Sequence, residues 1–255
     1  MKKTLRSAML STICMLVVAV MSLTGVTYAW FTSNTTADVT GMTMEVSAAG
    51  AGLEVSEDGS DWGTTIQFET EDDENLIPVS TVNAVNFFKA DANPDNTEIT
   101  TTSADKATTV WSEEVWMQNT GEGTLTIQLT GEVFSISEGD TSGKETYKAA
   151  RIAVFDGETL LYIYGDEEEY LGVNGEGTFN SDASAGSETI KLGTVQNYQS
   201  DVAQCTLTIP GVNEAGTPQP KKFTILVWIE GQDPECISNN ANSSFDVELH
   251  FAVVQ

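Results

Sequence analysis

Apolar and polar residues alternate with a period of two along most of the chain after residue 40. The clearest example is residues 245–253, where the odd positions are Phe, Val, Leu, Phe and Val and the even positions include two acids and a histidine. Residues 42–46 and 125–129 repeat the pattern. Such alternation predicts β-strands with one face on a core. Residues 223–229 are almost continuously apolar, which predicts a central strand buried on both faces.

Turn residues stand between many of these apolar runs. Asp156-Gly157 separates two of them and predicts a β-hairpin. Asp58-Gly59 and residues 120–123 stand between apolar runs in the same way and predict two more. Only a short helix is expected, near residues 142–148. The pattern therefore predicts an all-β fold, a two-sheet antiparallel sandwich that is jelly-roll-like, with roughly ten strands and acidic loops.

Residues 1–29 have the organisation of a secretory signal peptide. Three basic residues precede an apolar stretch, and Thr27 and Ala29 are the small residues expected at the −3 and −1 positions of a cleavage site. We expect cleavage between Ala29 and Trp30, which leaves residues 30–255 as a single domain without a membrane anchor. The alternative is a retained anchor, for which the apolar core at residues 13–21 is short.

The charge of the chain excludes some partners. There are 38 acidic residues against 11 basic ones, with a formal charge of −27. A surface of this sign repels phosphate, which argues against nucleic-acid partners and disfavours docking on anionic lipid. Because 40% of the residues are hydrophobic, the chain can nevertheless build a core and is not of the disordered class.

Two cysteines, Cys205 and Cys236, remain after the expected cleavage. In an oxidising compartment such a pair is a candidate disulfide. The alternative is two separate thiols, one of them in a strand core. The sequence alone leaves both open, because it does not show whether the two Cα atoms approach each other.

Two segments near the start of the chain, TYAWFTS at 27–33 and VTGMTMEV at 39–46, resemble a known leader and first strand. The family they resemble is TasA/camelysin, the secreted matrix-fibre proteins of Gram-positive bacteria that are cleaved by the signal peptidase SipW. Residues 115–125 resemble its strand–Asn–x–Gly–strand unit, and residues 245–255 resemble its closing strand. The resemblance implies a jelly-roll fold, secretion to the extracellular or cell-surface matrix, processing by a SipW-type peptidase, and self-assembly into fibres.

The resemblance also implies that a donated N-terminal strand joins the subunits. That donor strand would contain Trp30, Phe31, Thr32, Ser33 and Asn34. An extended segment added to a neighbour's open sheet edge gains backbone hydrogen bonds, and its large side chains fill pockets. The partner is then a second copy of the chain, with other matrix components as further partners. The alternative is that Trp30 and Phe31 pack on their own domain.

The sequence contains no pattern typical of a catalytic site, so we predict that the protein is not an enzyme. A zinc peptidase motif of the form H-E-x-x-H is absent, and His250 is the one histidine in the chain. None of Lys144, Lys148, Lys191, Lys221 and Lys222 completes a Ser-x-x-Lys pattern that would pair a serine nucleophile with a lysine. His250 is interpreted as a solvated or hydrogen-bonded residue on the polar face of the last strand.

No cofactor is predicted, and Ca²⁺ is the one metal that the sequence brings into question. Residues 91–95 begin like an EF-hand loop but lack its glycine at Asn96 and its bidentate acid at Thr102. A second set of candidate ligands is Glu230, Asp233 and Glu235. The alternative is that Gly231 and Pro234 form a turn there and that the acids face water.

Two functions of different classes are therefore compared. The first is a structural protein, an extracellular fibre subunit of a biofilm matrix or cell envelope. The second is a secreted glycan-binding module of the adhesin or lectin type, in which Trp62, Trp111 and Trp116 would stack on sugar rings. If these three side chains instead pack within the sheets, the second hypothesis loses its binding surface.

Overall fold

The computed structural model describes residues 15, 37–47, 52–69, 75–81, 83–90, 100–104, 106–137, 141, 143–166, 188–189, 197–231, 233, 236 and 243–254. The first eight strands are β1 (Ala37–Ser47), β2 (Leu53–Ser56), β3 (Thr65–Glu69), β4 (Asn75–Leu76), β5 (Phe88–Ala90), β6 (Thr100–Ser103), β7 (Trp111–Asn119) and β8 (Leu125–Thr130). The others are β9 (Phe134–Ile136), β10 (Ala150–Asp156), β11 (Thr159–Gly165), β12 (Glu188–Thr189), β13 (Tyr198–Gln199), β14 (Thr206–Ile209), β15 (Lys221–Ile229) and β16 (Ser244–Val253). Between the described strands lie a short helix, α1 (Lys106–Thr109), and the 3-10 turns Thr146–Ala149 and Val202–Gln204.

The strands form two packed sheets, so the predicted all-β two-sheet sandwich is confirmed. Sheet I has the order β14-β8-β16-β1-β3, with β4 paired to β1 and β9 paired to β16. Sheet II has the order β13-β11-β10-β15-β7-β2, and a small third sheet contains β12, β6 and β5. The sandwich is mixed rather than purely antiparallel, because the first strand, β1, runs parallel to the last, β16.

The alternating strands bury the faces that the sequence predicts. In β16 the side chains of Phe245, Val247, Leu249 and Phe251 are buried, and in β1 those of Met42, Met44 and Val46 are buried. These side chains meet those of sheet II in one continuous core between the sheets. Burial of apolar surface in this layer supplies most of the driving force for the fold.

Strand β15 is buried on both faces, as its continuous apolar sequence predicts. Ile225, Val227 and Ile229 point into the core between the sheets. Leu226 and Trp228 belong to a second core on the outer face of sheet II. Residues from 79–87 and the region of α1 cover this outer face, and Phe87 contacts the Trp228 ring edge-on at 5.4 Å between centroids.

The hairpin predicted at Asp156-Gly157 is confirmed. Strands β10 and β11 pair antiparallel up to Asp156 and Thr159, so Gly157 and Glu158 form the two-residue turn. Gly157 has a φ of +61°, a value that glycine adopts without steric cost. A positive φ at the first turn residue is typical of the type II′ turn of tight hairpins.

The hairpin predicted at Asp58-Gly59 is confirmed only as one antiparallel bridge, between Val55 and Gly63, and the hairpin predicted at residues 120–123 is wrong. After the turn at Asp58, β2 pairs with β7 in sheet II whereas β3 pairs with β1 in sheet I. Likewise β7 and β8, on either side of residues 120–123, belong to different sheets. The turn chemistry is present, since Asp58 accepts hydrogen bonds from the backbone N–H of Ser60 and Asp61 at 2.8 and 3.0 Å. The turn at Asp58 first brings Gly63 back against Val55, and the chain then crosses to sheet I at β3; at residues 120–123 it crosses directly from β7 to β8.

The helical content is small, as predicted. The 3-10 turn at Thr146–Ala149 overlaps the region, residues 142–148, where a short helix is expected. The four-residue helix α1 was not predicted. Among the residues that the structure describes, no helix is long and apolar enough to span a membrane.

Gly211 lies against the crossing turn at residues 121–123 and leaves no room for a side chain. A Cβ at this position would lie 2.6 Å from the Gly123 nitrogen and 2.8 Å from the Gly121 oxygen. We expect Gly211→Ala to lower the free energy of unfolding by about 1–3 kcal/mol, because backbone atoms have to shift. Urea denaturation measures it, with Gly63→Ala as the control, since the nearest atom there is 3.7 Å away. Equal losses in the two variants would contradict the packing argument.

Candidate assembly interface

The predicted cleavage site and donor strand, Ala29 and Trp30–Asn34, lie outside the described residues. The first described strand, β1, is held on both sides. It pairs with β16 along one edge and with β3 and β4 along the other. Its apolar side chains are buried in the core between the sheets. We call residues 30–36 the N-terminal arm, and its attachment point at Ala37 is part of a fixed framework.

The arm is attached at one end of the sandwich, which we call the arm end. There Asp38 pairs with Ser244, and the Ser243 hydroxyl lies 2.5 Å from the Thr146 hydroxyl, just before β10 begins. The first residue of β10, Ala150, pairs with Ile229, the last residue of β15. Strand β10 runs away from this end, so the turn at Gly157 and Glu158 lies at the opposite end, the hairpin end.

Two of the sheet edges are protected against strand addition. At β14, the Lys221 ammonium donates to the Thr208 carbonyl at 3.3 Å, and Pro210 follows the strand. Beyond β2, Val55 and Gly63 exchange two backbone hydrogen bonds of 2.8 and 3.0 Å. Proline, lysine and covering segments are common means of blunting an edge.

Two other edges are more open. Among the described strands, only β1 pairs with β3, so the outer edge of β3 has no described partner. On the outer edge of β11, β13 pairs only with Ile163 and Tyr164. Asn197 adds a hydrogen bond to the Leu160 carbonyl at 3.3 Å. Among the described residues, the first half of β11, next to the hairpin end, has no strand partner on its outer edge. An edge of this kind is one that an incoming strand can extend.

The outer face of sheet I is polar and acidic. His250 lies there between two carboxylates, with Glu45 at 3.4 Å from its Nδ1 and Glu248 at 3.3 Å from its Nε2. The interpretation of His250 as a hydrogen-bonded residue of the polar face is confirmed. In a chain with a formal charge of −27, such a face opposes close approach of a second copy at low ionic strength.

Two of the three weak candidate cation ligands, Glu230 and Asp233, make other contacts in this structure. Asp233 pairs with the Arg151 guanidinium at 2.6 Å, and both side chains are buried. Glu230 is also buried, and its Oε2 lies 3.4 Å from the indole nitrogen of Trp228. The alternative in which these acids face water is therefore wrong for both residues, and Glu235 lies outside the described residues. In the described part of the chain, no three His, Cys, Asp or Glu residues converge as metal ligands.

The environment of Arg151 keeps it charged. Burial alone would lower the pKa of this guanidinium, but the attraction of Asp233, with smaller contributions from Tyr198 and Glu230, outweighs burial and raises it. Arg151 also donates to the carbonyls of Lys148 and Ala150 at 3.0 and 2.9 Å. The pair was not predicted from the sequence, because its members lie 82 positions apart.

The two cysteines are buried thiols and are not joined by a disulfide in this structure. Burial, with a smaller effect of Asp201, raises the pKa of the Cys205 thiol to about 12. A thiol that stays protonated at neutral pH is a poor nucleophile. Cys205 therefore behaves as a small core residue.

The three tryptophans considered for sugar stacking do not form an exposed platform. Trp111 is only 6% exposed, and its indole N–H donates to Glu113 at 2.8 Å. Trp116 is half-buried, with Gly59 packed against its ring and the Lys222 ammonium 5.8 Å from the ring centroid. Trp62 is half-buried as well. This arrangement disfavours the glycan-binding hypothesis.

Comparison with the models of known protein families finds no match to this chain, and a search of the curated proteins finds none either. The fold, the sheet edges and the arm are therefore the basis on which a function is proposed.

Proposed function

We propose that this chain is a secreted structural subunit that self-assembles into extracellular fibres of a bacterial biofilm matrix or cell envelope by donating its N-terminal strand. The observation that carries the proposal is the combination of an arm attached at one end of the sandwich and an open strand edge at the other. In this proposal, Trp30, Phe31, Thr32, Ser33 and Asn34 form the donated strand.

A contact between an arm on one subunit and an edge on the next is heterologous, so it generates an open polymer rather than a closed ring unless the rotation happens to close. Each backbone hydrogen bond in such a ladder adds a modest net amount, about 0.5–1.5 kcal/mol. The five polar residues after Phe31 are Thr, Ser, Asn, Thr and Thr, which suit an extended strand without adding charge. Aromatic side chains at the tip of the arm would supply specificity.

Assembly is expected to depend strongly on charge screening. Mature subunits lack Lys2, Lys3 and Arg6, so their formal charge is −30 and they repel each other. The screening length falls from about 8 Å at physiological salt to about 3 Å at 1 M. Most Asp and Glu side chains take up protons as pH falls towards about 4, which removes negative charge. We therefore expect faster polymerisation of the mature protein at pH near 4, in high salt, or with millimolar Ca²⁺.

Light scattering follows the rate, and electron microscopy of the products shows whether they are fibres. Circular dichroism at each pH checks that the subunit is still folded, because acid also weakens buried ion pairs. Flat scattering under all these conditions would contradict the fibre proposal. Retention of the unpolymerised protein on a glycan array would instead favour the adhesin hypothesis.

A further inference from the structure

A cavity of about 630 Å³ opens on the outer face of sheet II, at the margin of the second core towards the hairpin end. Strands β10 and β15 form its floor, and the residues around Val85 and the region of α1 form its sides. Three apolar side chains of the second core, Val110, Phe155 and Leu226, line it. The volume is in the range of pockets that bind small ligands.

The cavity lies where the described residues cover the second core least completely. Val110, Phe155 and Leu226 are 5–7% exposed, and the other buried side chains of this core are 0–2% exposed. Val85, at the rim, is 52% exposed. A ligand with an apolar body would remove this surface from water, which is favourable.

The residues beside the cavity are held by hydrogen bonds of their own. The Asn83 side chain accepts from the backbone N–H of Val85 and Asn86, each at 3.0 Å. The Lys106 ammonium donates to the Ala84 carbonyl at 3.3 Å and so ties the two sides of the cavity together. The shape of the cavity is therefore present before any ligand binds.

Lys106 is the basic residue among those that line the cavity, and it makes no ion pair with any residue that the structure describes. Its ammonium lies 5.1 Å from the centroid of the Phe87 ring. An ammonium has three N–H donors, so donors remain for a ligand besides the one on the Ala84 carbonyl. Burial lowers the pKa of Lys106, because the charged form has lost part of its hydration. A bound anion would compensate for that loss.

We propose that this cavity binds a small apolar carboxylate, with its carboxylate on the Lys106 ammonium and its apolar body against Phe155 and Leu226. Charge complementarity selects the head group, since one ammonium matches one negative charge. Glu158 is exposed at the rim and opposes a head group with two negative charges, such as a phosphate monoester. The site lies within one subunit, so the proposal does not depend on fibre formation.

The N-terminal arm does not supply the group that Lys106 lacks. Residues 30–36 contain no acidic side chain, and the first acid of the mature chain is Asp38, within β1. An arm lying in the cavity would cover its apolar walls and leave the ammonium without a counter-ion. An external carboxylate satisfies both parts of the cavity.

Ligands that differ only in their head group test the proposal. Isothermal titration calorimetry of the mature protein with octanoate, octanol and octylamine at neutral pH compares an anion, a neutral molecule and a cation on the same hydrocarbon chain. The strongly negative charge of the protein favours octylamine at sites elsewhere on the surface. We expect octanoate to bind about tenfold more tightly than either of the others, as for a charge-assisted hydrogen bond. The reverse order, or no saturable binding of octanoate, would overturn the proposal.

Variants of Lys106 separate its charge from its length. Lys106→Met removes the cation, so we expect octanoate to bind about tenfold more weakly and octanol to bind as before. Lys106→Arg is expected to restore the preference for octanoate. Lys148→Met is the matched control, because it removes the same charge from a pair with Glu145 that does not line the cavity. Equal weakening by Lys106→Met and Lys148→Met would assign the effect to net charge and overturn the proposal.

Two further variants locate the ligand without changing Lys106, and circular dichroism checks that each is folded. Ser112 is exposed and lines the cavity, so Ser112→Trp is expected to abolish octanoate binding by filling the space. Wild-type affinity in this variant would place the ligand elsewhere. Trp30→Ser with Phe31→Ser removes the aromatic side chains of the arm and is expected to leave octanoate affinity unchanged. Binding that appears only in this double variant would show that the arm fills the cavity, and the proposal would be wrong.

Discussion

Asp233→Ala is expected to lower the free energy of unfolding by about 3–5 kcal/mol, the cost of leaving a buried charge without its partner. Arg151 and Asp233 are both almost fully buried, and their 2.6 Å contact satisfies the guanidinium together with two backbone carbonyls. Without the carboxylate, the cation keeps only neutral acceptors. Urea denaturation followed by tryptophan fluorescence measures the loss, since Trp228 lies in the neighbouring core.

An exposed pair provides the matched control for this prediction. Glu114 and Lys222 are also in contact, at 2.7 Å, but their side chains are 58% and 41% exposed. Glu114→Ala is expected to cost less than about 1 kcal/mol, because water replaces the lost partner. Replacing both buried members, Arg151→Met with Asp233→Leu, is expected to restore most of the stability. Equal small losses for Asp233→Ala and Glu114→Ala would show that the buried pair is not energetically distinct.

The buried pair also supports the place where the arm is attached. Asp233 belongs to the segment after β15, where Val79 exchanges backbone hydrogen bonds with Ile229 and Gly231 at 3.0 and 2.9 Å. Residue 79 follows β4, which pairs with Ala37 and Asp38 at the start of β1. Through Asp233, Arg151 therefore connects β10 to the segment after β15, which is hydrogen-bonded to Val79, close to the strand β4 that pairs with the base of the arm. In the proposed fibre, this connection would transmit load from the arm to sheet II.

Much of the fold is predictable from the sequence because each strand carries its own signal. Alternation identifies the buried face of β1, β8 and β16, and the continuous apolar run identifies β15 as a strand with two buried faces. A period of two does not identify the partner strand, so the parallel pairing of β1 with β16 was not predicted. Turn residues predict a reversal but not the sheet that the chain joins next. For that reason the sequence predicts a hairpin at residues 120–123, where the chain crosses to the other sheet, and predicts a longer hairpin at Asp58 than the single Val55–Gly63 bridge that forms.

The arm and the cavity on sheet II differ in how far the sequence predicts them. The arm is contiguous and follows a leader motif, so its residues can be proposed directly. The cavity combines residues from 85 to 226, and only the pairing of β10 with β15 and the packing of α1 bring them together. Lys106 and Val85 carry no pattern that marks them in the sequence. No sequence pattern marks Arg151 and Asp233 either, because their pairing depends on the return of the chain to the arm end after β15.

Deleting residues 30–36 from the mature protein is expected to abolish fibre formation and leave the sandwich folded. The pairing of β1 with its neighbouring strands begins at Ala37. The side chains that β1 contributes to the core lie between Ala37 and Ser47, after the deleted segment. The truncated chain therefore keeps its core but has no segment to donate. Gel filtration shows whether the truncated chain is monomeric, circular dichroism whether it is folded, and electron microscopy whether it forms fibres. The matched control is Trp30→Ser with Phe31→Ser, which keeps the length of the arm and removes its aromatic side chains.

Mixing the truncated chain with the full-length chain tests strand donation more stringently than either chain alone. A truncated subunit accepts an arm but donates none, so it stops growth wherever it is incorporated. We expect fibre length to fall steeply as its share rises, at constant total protein, because one truncated subunit ends a whole filament. Normal fibres from the truncated chain alone would rule out strand donation. A truncated chain that does not fold would instead show that Trp30 and Phe31 pack on their own domain.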